Sequence, residues 1–243
     1  LTINHQSLIA TKSSRIVSQA AGRPVMEFGA RRAQGSDASV LGARAAYIGG
    51  VASTSCTLAG EIFGIPLSGT MAHSFVQLYD SEFEAFKAYA ESYPDNTVLL
   101  IDTYNVLESG LPNAIRTAKE VLEPMGKRLK GVRIDSGDIT YLSQACRKVL
   151  DEAGLEDCNI VISNSLDEYI IREILIQGAK VDSFGVGERL ITSKSEPVFG
   201  GVYKLSAVED EDGKIEPRMK ISDSVVKITN PGSKSLYRFI DNK

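Results

Sequence analysis

Two textures of apolar residues alternate along the first 190 positions of the chain. One is a short run with little or no polar interruption, as in Val98-Leu99-Leu100-Ile101 or Ile160-Val161-Ile162. Such runs are too short for helices and too apolar to face water on either side, which is how the strands of a covered parallel sheet read. The other is a longer segment with apolar residues every three to four positions, the mark of an amphipathic helix. The first texture predicts strands at 25–29, 51–54, 65–67, 97–101, 131–134, 159–162 and 181–184. The second predicts helices at 7–20, 37–48, 57–63, 75–93, 112–122, 139–153 and 166–177. Ser36 or Asp37 is expected to cap the second of these, and Gly154 and Gly178 close the last two.

The order is strand, polar tip, helix, repeated about seven times at a spacing of roughly 30 residues, as βαβ units require. A sheet of that length with a polar tip on every strand is best closed on itself. The expected fold class is α/β: an irregular (β/α) barrel of parallel strands with a β-rich C-terminal extension. An open doubly wound sheet is the alternative, and no GxGxxG follows the first strand to favour its dinucleotide-binding form. The barrel is assigned to residues 1–190. Residues 191–243 change texture, with short strands expected at 199–208, 218–222, 225–229 and 236–240 and turns at 210–213 and 230–232. This segment is expected to pack on an N-terminal part outside the chain. That expectation comes from the opening, Leu1-Thr2-Ile3-Asn4-His5, which has no methionine, runs straight into a helical pattern and reads as the interior of a longer protein.

Composition narrows the chemistry. The chain of 243 residues is 43% hydrophobic and 24% charged, an ordinary globular balance. A net charge of −4 gives no bulk attraction for nucleic acid, so any anion must be held by local basic residues. Cys56, Cys146 and Cys158 are odd in number and form no CxxC pair, so they read as buried or incidental thiols of a reducing compartment, not a disulfide or zinc framework. No apolar run reaches membrane-spanning length. The expected setting is the cytoplasm, with neither nucleic acid nor membrane as partner.

The strand tips carry the candidate chemistry. They hold Arg31 and Arg32, His73, Asp102, Arg133 with Asp135 and Asp138, Ser163-Asn164-Ser165, and Gly185 with Gly187. In a parallel barrel all of these face one mouth. Each has an ordinary structural explanation. His73 could be a satisfied structural histidine, Asp138 could cap the following helix, Arg32 could pair with a surface acid, and Gly185-Val186-Gly187 could be a tight turn. Their joint occurrence on successive tips favours a site. A glycine loop with free N–H groups suits a phosphate monoester. Paired guanidinium forks suit a planar carboxylate or a diphosphate. Carboxylates suit ribose hydroxyls or a Mg²⁺ that holds a diphosphate. Together these describe a phosphoribosyl transfer, with His73 as nucleophile or acid–base beside the phosphates.

The residues that carry this reading also carry a resemblance. The stretches 27–35 (EFGARRAQG), 68–74 (SGTMAHS), 101–104 (IDTY), 132–138 (VRIDSGD), Ser163-Asn164 and 184–187 (FGVG) resemble nicotinate phosphoribosyltransferases, in family order from about Asn4 to Leu190. The resemblance implies a type II phosphoribosyltransferase barrel. It implies a reaction of nicotinate with 5-phosphoribosyl 1-diphosphate that gives nicotinate mononucleotide and diphosphate, driven by ATP hydrolysis in NAD salvage. Mg²⁺ and ATP are the implied cofactor and co-substrate, and no residue is assigned to a resident metal. His73 matches the histidine that ATP phosphorylates, and Arg31 and Arg32 match arginines near the nicotinate carboxylate and diphosphate. Asp102, Arg133 and Asp135 match positions lining ribose and diphosphate, with His73, Asp102 and Asp135 taken as the catalytic set. Asp138 is taken with the substrate-binding residues, and Ser163, Asn164, Gly185 and Gly187 match the loops for the ribose phosphate. The resemblance further implies a homodimer for the full-length protein, in which the N-terminal part supplies an aromatic residue that stacks on nicotinate across subunits. One departure stands out: Glu188 follows Gly187 where a threonine is expected. Relatives acting on nicotinamide or quinolinate, and a catalytically incomplete fragment, are the rival readings.

Overall fold

Six short strands make one parallel sheet: β1 (Val25–Glu27), β2 (Ser53–Thr54), β3 (Val98–Leu100), β4 (Gly131–Ile134), β5 (Asn159–Ser163) and β6 (Ser183–Val186). They are seen in a computed structural model that describes residues 2–239. The spatial order is β2-β1-β6-β5-β4-β3. The predicted strand at 65–67 survives as a single parallel bridge from Leu67 to Thr54, next to β2. Starting at that bridge, the order is cyclic, because β6, the last strand, pairs with β1, the first. An open doubly wound sheet reverses its order at an interior switch point; here the series runs round in one direction, from Leu67 to β3.

The circle has one seam, between Leu67 and β3. No backbone ladder crosses it among the described residues. Side chains do: His73 Nδ1 lies 3.1 Å from Thr103 Oγ1, and Arg133 on β4 donates from Nη1 to Thr70 Oγ1 at 2.7 Å. The seam is what makes the barrel irregular.

Helices cover the sheet. They are α1 (Thr2–Gln19), α2 (Ser36–Ile48), α3 (Thr57–Phe63), α4 (His73–Val76), α5 (Glu82–Ser92), α6 (Leu111–Thr117), α7 (Ile139–Glu152), α8 (Glu168–Ile176) and α9 (Glu188–Ile191). Leu99, Val132, Ile134, Ile160, Ile162 and Phe184 are fully buried beneath them, which is why the strands carry almost no polar residues before their tips.

Three local expectations are corrected. The helix predicted at 75–93 is two helices, because Ser81 Oγ accepts from Glu84 N at 3.3 Å and starts α5 afresh. The helix predicted at 112–122 begins earlier: π turns at Val106–Gly110 and Ala118–Leu122 flank α6. Gly110 permits this, since a Cβ there would lie 1.9 Å from the carbonyl oxygen of Ile101. Neither Ser36 nor Asp37 caps α2, whose cap position is Gly35 with no side-chain bond.

The chain divides into two compact units, Leu1–Phe199 and Gly200–Lys243. The second holds one antiparallel hairpin, β7 (Ala207–Glu209) with β8 (Ile215–Pro217). Its turn falls at 210–213 as expected, tied by Asp210 Oδ1, which accepts from Asp212 N at 3.1 Å and Lys214 N at 2.8 Å. Most of the other strands expected here are absent among the described residues. Only the end of 199–208 is strand, 218–222 is irregular, Val225–Lys227 is a 3₁₀ turn, and 236–239 is irregular, with Ile240 outside the described residues. Val202, Tyr203, Leu236 and Phe239 stay largely exposed. Apolar runs with strand propensity become strands only where a neighbour pairs with them.

The three cysteines are free and buried, as expected. No helix among the described residues is long and apolar enough to cross a membrane.

Candidate active site

The site is assembled from the C-terminal ends of the strands. At the end of β1, Glu27 is buried, with one carboxylate oxygen accepting from Gly29 N and the other from Thr54 Oγ1 at 2.6 Å. Thr54 Oγ1 itself accepts from Cys56 N at 3.0 Å. Burial pushes the Glu27 pKa up, and the bonds from Thr54 and Gly29 pull the other way. This brace fixes the 3₁₀ turn Ala30–Arg32, which points Arg31 and Arg32 out from the tip. Phe28, just before the turn, lies on the backbone of Gly185: a Cβ at Gly185 would sit 2.6 Å from the ring.

Arg133 on β4 is the hub. Its guanidinium donates from Nε to Ser163 Oγ at 2.6 Å, from Nη1 to Thr70 Oγ1 at 2.7 Å, and from Nη2 to Asp135 Oδ1 at 2.9 Å. It also lies 5.4 Å from the centroid of the Phe28 ring. Ser163 Oγ donates in turn to Asp135 Oδ1. One planar cation thus ties β4 to β1, β5 and the loop after Leu67.

Asp102, at the end of β3, is 8% exposed. Its Oδ2 accepts from Asp135 N at 3.0 Å and from Ser136 Oγ at 2.6 Å, while Oδ1 is buried with no partner in the protein. A buried carboxylate oxygen left open next to a cavity is a place for a ligand hydroxyl or a cation. His73 is the first residue of α4, not the last of a strand. With Nδ1 on Thr103, its Nε2 lies 3.9 Å from Asp135 Oδ2.

Two adjoining cavities open at this mouth, of about 240 Å³ and about 420 Å³, and both are lined by Phe28, Arg31, Arg133 and Asp135. The smaller also takes in Arg32, Ser163, Asn164, Gly185 and Gly187; the larger takes in His73. Asp102 lines a neighbouring hollow with Ser136. Nine of the eleven predicted residues therefore line the two cavities, and Asp102 joins them through its bond from Asp135 N. Asp138 is the exception, spent on capping α7, where its Oδ1 accepts from Tyr141 N at 3.0 Å. Among the described residues Arg31 makes no hydrogen bond or ion pair, so its charge is open to the cavities. Glu188 is held by Lys194 at 3.0 Å, with Arg32 at 4.0 Å, and Lys194 chiefly keeps its pKa low. Its charge is turned onto two cations, which relieves the repulsion expected of a carboxylate beside a phosphate loop. The residues missed from sequence are Phe28, Thr70, Thr103 and Ser136. Each adjoins a predicted tip residue or lies in its loop, and tip position alone could have found them.

Among the described residues no group of three or more His, Cys, Asp or Glu side chains could hold a metal ion. Mg²⁺ needs no such cage when it arrives on a diphosphate, since one or two carboxylates and water complete its shell. The open oxygen of Asp102 and the Oδ2 of Asp135 fit that role.

A parallel α/β sheet of this order, with cations, carboxylates and glycine loops gathered at its strand tips, places the chain in the class of (β/α) barrels. The particular family follows from comparison: the model of the nicotinate phosphoribosyltransferase (NAPRTase) family matches residues 24–235, and the chain belongs to this family. It is 50% identical to the nicotinate phosphoribosyltransferase of Bacillus subtilis over 98% of its own length and 48% of that protein's. It is 33% identical to the human nicotinate phosphoribosyltransferase over 98% of its length and 53% of that protein's. The crystal structure of human nicotinic acid phosphoribosyltransferase superposes with a TM-score of 0.70 at 32% identity, covering 76% of this chain and 47% of that one. That of nicotinate-nucleotide pyrophosphorylase from Pyrococcus furiosus does so at 0.67 and 26% identity, covering 96% and 60%. The chain spans about half the length of the curated relatives it matches.

Proposed function

We propose that this chain is the barrel of an enzyme that joins nicotinate to 5-phosphoribosyl 1-diphosphate, releasing diphosphate and giving nicotinate mononucleotide, with ATP as co-substrate. The observation that carries this is the Arg133 hub standing between two cavities of different character. In the smaller cavity, Ser163, Asn164 and the backbone of Gly185 and Gly187 take the ribose 5-phosphate, for which free N–H groups are suited. In the larger, His73, Asp135 and Arg31 face the diphosphate. Arg31 and Arg32 favour an acid over nicotinamide, which offers no carboxylate to a guanidinium fork. Phe28 offers the pyridine ring an aromatic face.

The bond between ribose C1 and the diphosphate oxygen breaks as the pyridine nitrogen attacks C1. Positive charge develops on the ribose, and the carboxylates of Asp102 and Asp135 stabilise it from fixed positions. Negative charge develops on the leaving diphosphate beside Arg31 and Arg133. Mg²⁺, when bound with the diphosphate, would neutralise part of that charge. His73 serves as the acceptor of the ATP γ-phosphoryl group. In the tautomer that donates its Nδ1 proton to Thr103, the Nε2 lone pair attacks the γ-phosphorus; the N–P bond forms as the bond to the β–γ bridging oxygen breaks, and ADP leaves. The full-length enzyme is proposed to be a cytoplasmic homodimer.

The test is incubation with γ-labelled ATP and Mg²⁺, comparing the chain with His73→Ala, alongside calorimetric titration of 5-phosphoribosyl 1-diphosphate and nicotinate. Acid-labile, base-stable label that disappears with the substitution, and binding of both substrates, are the expected results. A folded chain that binds neither substrate would sink the proposal.

A further inference from the structure

The ladder between β5 and β6 ends at Ser163 paired with Gly185. Beyond that pair the backbone of the two tips separates, and the smaller cavity lies between the loops. The β6 tip stays bonded to β1 through Val186, so what lies outside the ladder is its spacing from the β5 loop. The β5 loop is also out of its relaxed state, since Ser165 has φ 33, a left-handed conformation that costs a residue with a side chain.

One carboxylate bridges the gap, and its neighbour braces it against α1. Asp167 caps α8 with Oδ1, which accepts from Tyr169 N at 3.0 Å and Ile170 N at 2.9 Å. Its second oxygen, Oδ2, accepts from Arg189 Nη1, two residues past Gly187 on the β6 side. The next residue, Glu168, pairs at 2.6 Å with the buried Lys12 of α1. Lys12 Nζ also reaches Ser195 Oγ at 3.4 Å, so the chain after α9 is held from the same place. Burial would raise the Asp167 pKa, but the Ile170 N–H, Arg189 and Lys12 together outweigh it and hold it low. The carboxylate is therefore charged and locked to both loops.

We propose that Asp167 and Arg189 are positioning residues that set the distance between the two loops flanking the ribose-phosphate cavity. This rests on the reading of that cavity as the phosphate subsite. Neither side chain touches the phosphate; each holds the loop that does. Small displacements of groups converging on one anion are costly, because every hydrogen bond to it depends on the same geometry.

Asp167→Asn separates the two duties of this residue, since asparagine caps a helix as well as aspartate does but brings no charge to Arg189. The expected result is a Kd for 5-phosphoribosyl 1-diphosphate raised about 10-fold, with nicotinate affinity unchanged. Arg189→Lys should bind within about 3-fold of the wild type and Arg189→Gln should match Asp167→Asn, because the contact to Asp167 runs through Nη1 alone and a lysine keeps its charge. Tighter binding by Asp167→Asn would overturn the inference, because it would make the freed guanidinium a phosphate ligand. Amide hydrogen exchange supplies a reading that needs no ligand. Arg189→Gln should speed exchange across the gap at Asn164 and Ser165, and Asp167→Asn should speed it at Gly187 and Glu188. Exchange that changes only in the substituted residue's own loop would overturn the clamp. A wild-type chain that fails to bind 5-phosphoribosyl 1-diphosphate would count against the proposed function, while the exchange data would still judge the clamp.

Discussion

The two ends of the barrel use charge in opposite ways. At the base, where the loops enter the strands, charged groups are matched locally. Arg128 faces Asp157 and Glu123, and Lys127 pairs with Asp95 at 2.6 Å. Arg147 donates to the carbonyls of Leu155 and Cys158, both at 2.7 Å, and Asp182 Oδ2 accepts from Ile160 N at 2.7 Å. At the mouth, beside matched pairs such as Arg133 with Asp135, other charged groups are left open. Asp102 keeps a buried oxygen without a partner, Arg31 is unpaired among the described residues, and His73 stands 3.9 Å from Asp135. The same residue types close structure at one end and are left open at the other. Matched charges hold loops; the unmatched ones are those the proposed function assigns to substrate.

The hub is where this contrast can be broken most visibly. Arg133→Leu leaves Asp135, Ser163 and Thr70 without their shared donor and takes the cation from between the two cavities. Affinity for 5-phosphoribosyl 1-diphosphate should fall by about 100-fold, the scale for truncating one partner of a hydrogen-bonded charge network. Calorimetry on the folded variant checks it, and an unchanged Kd would remove the hub from the site.

Glu27 is a mouth carboxylate with both oxygens engaged, and it sharpens the contrast by pH. A glutamine can accept from only one of Gly29 N and Thr54 Oγ1, so Glu27→Gln should cost about 1–2 kcal/mol at pH 8. Burial raises the folded-state pKa of Glu27 above its ordinary value of 4.5. A raised pKa contributes stability that is present below the unfolded value and lost as pH rises through the folded one. The wild type should therefore gain on the variant as pH falls through that window. Denaturant midpoints that differ by a constant amount across it would contradict the burial argument.

These residues also mark how far the sequence could be read. The strands and most helices were legible because burial on both faces leaves an unbroken apolar run and burial on one leaves a period of three to four. The mouth was legible because a parallel barrel sends every polar tip to one end. The seam was not, since Leu67 and β3 are joined by the side chains of His73 and Thr103, which no periodicity encodes. Asp138 was ambiguous because a cap and a ligand use the same carboxylate, and only the bond to Tyr141 N tells them apart. The tail misled because strand formation depends on a pairing partner, and Tyr203 and Leu236 have strand-like sequence around them while remaining 99% exposed.

The smallest effect belongs to the base, and it completes the comparison. Arg128 faces Asp157 and donates from Nη2 to the carbonyl of Gly154 at 2.9 Å, all on the surface. Exposed pairs of this kind are screened by solvent, so Arg128→Ala should cost at most about 1 kcal/mol and leave substrate binding untouched. The hydrogen bond from Arg128 is the main reason the Asp157 pKa lies below its ordinary value of 3.8. A depressed pKa contributes stability present above the unfolded value and lost as pH falls through the folded one. The gap between wild type and Arg128→Ala should therefore close in acid, where the gap at Glu27 opens. Chemical denaturation at several pH values reads both. If Arg128→Ala weakened 5-phosphoribosyl 1-diphosphate binding as Arg133→Leu does, the division between a matched base and an open mouth would fail.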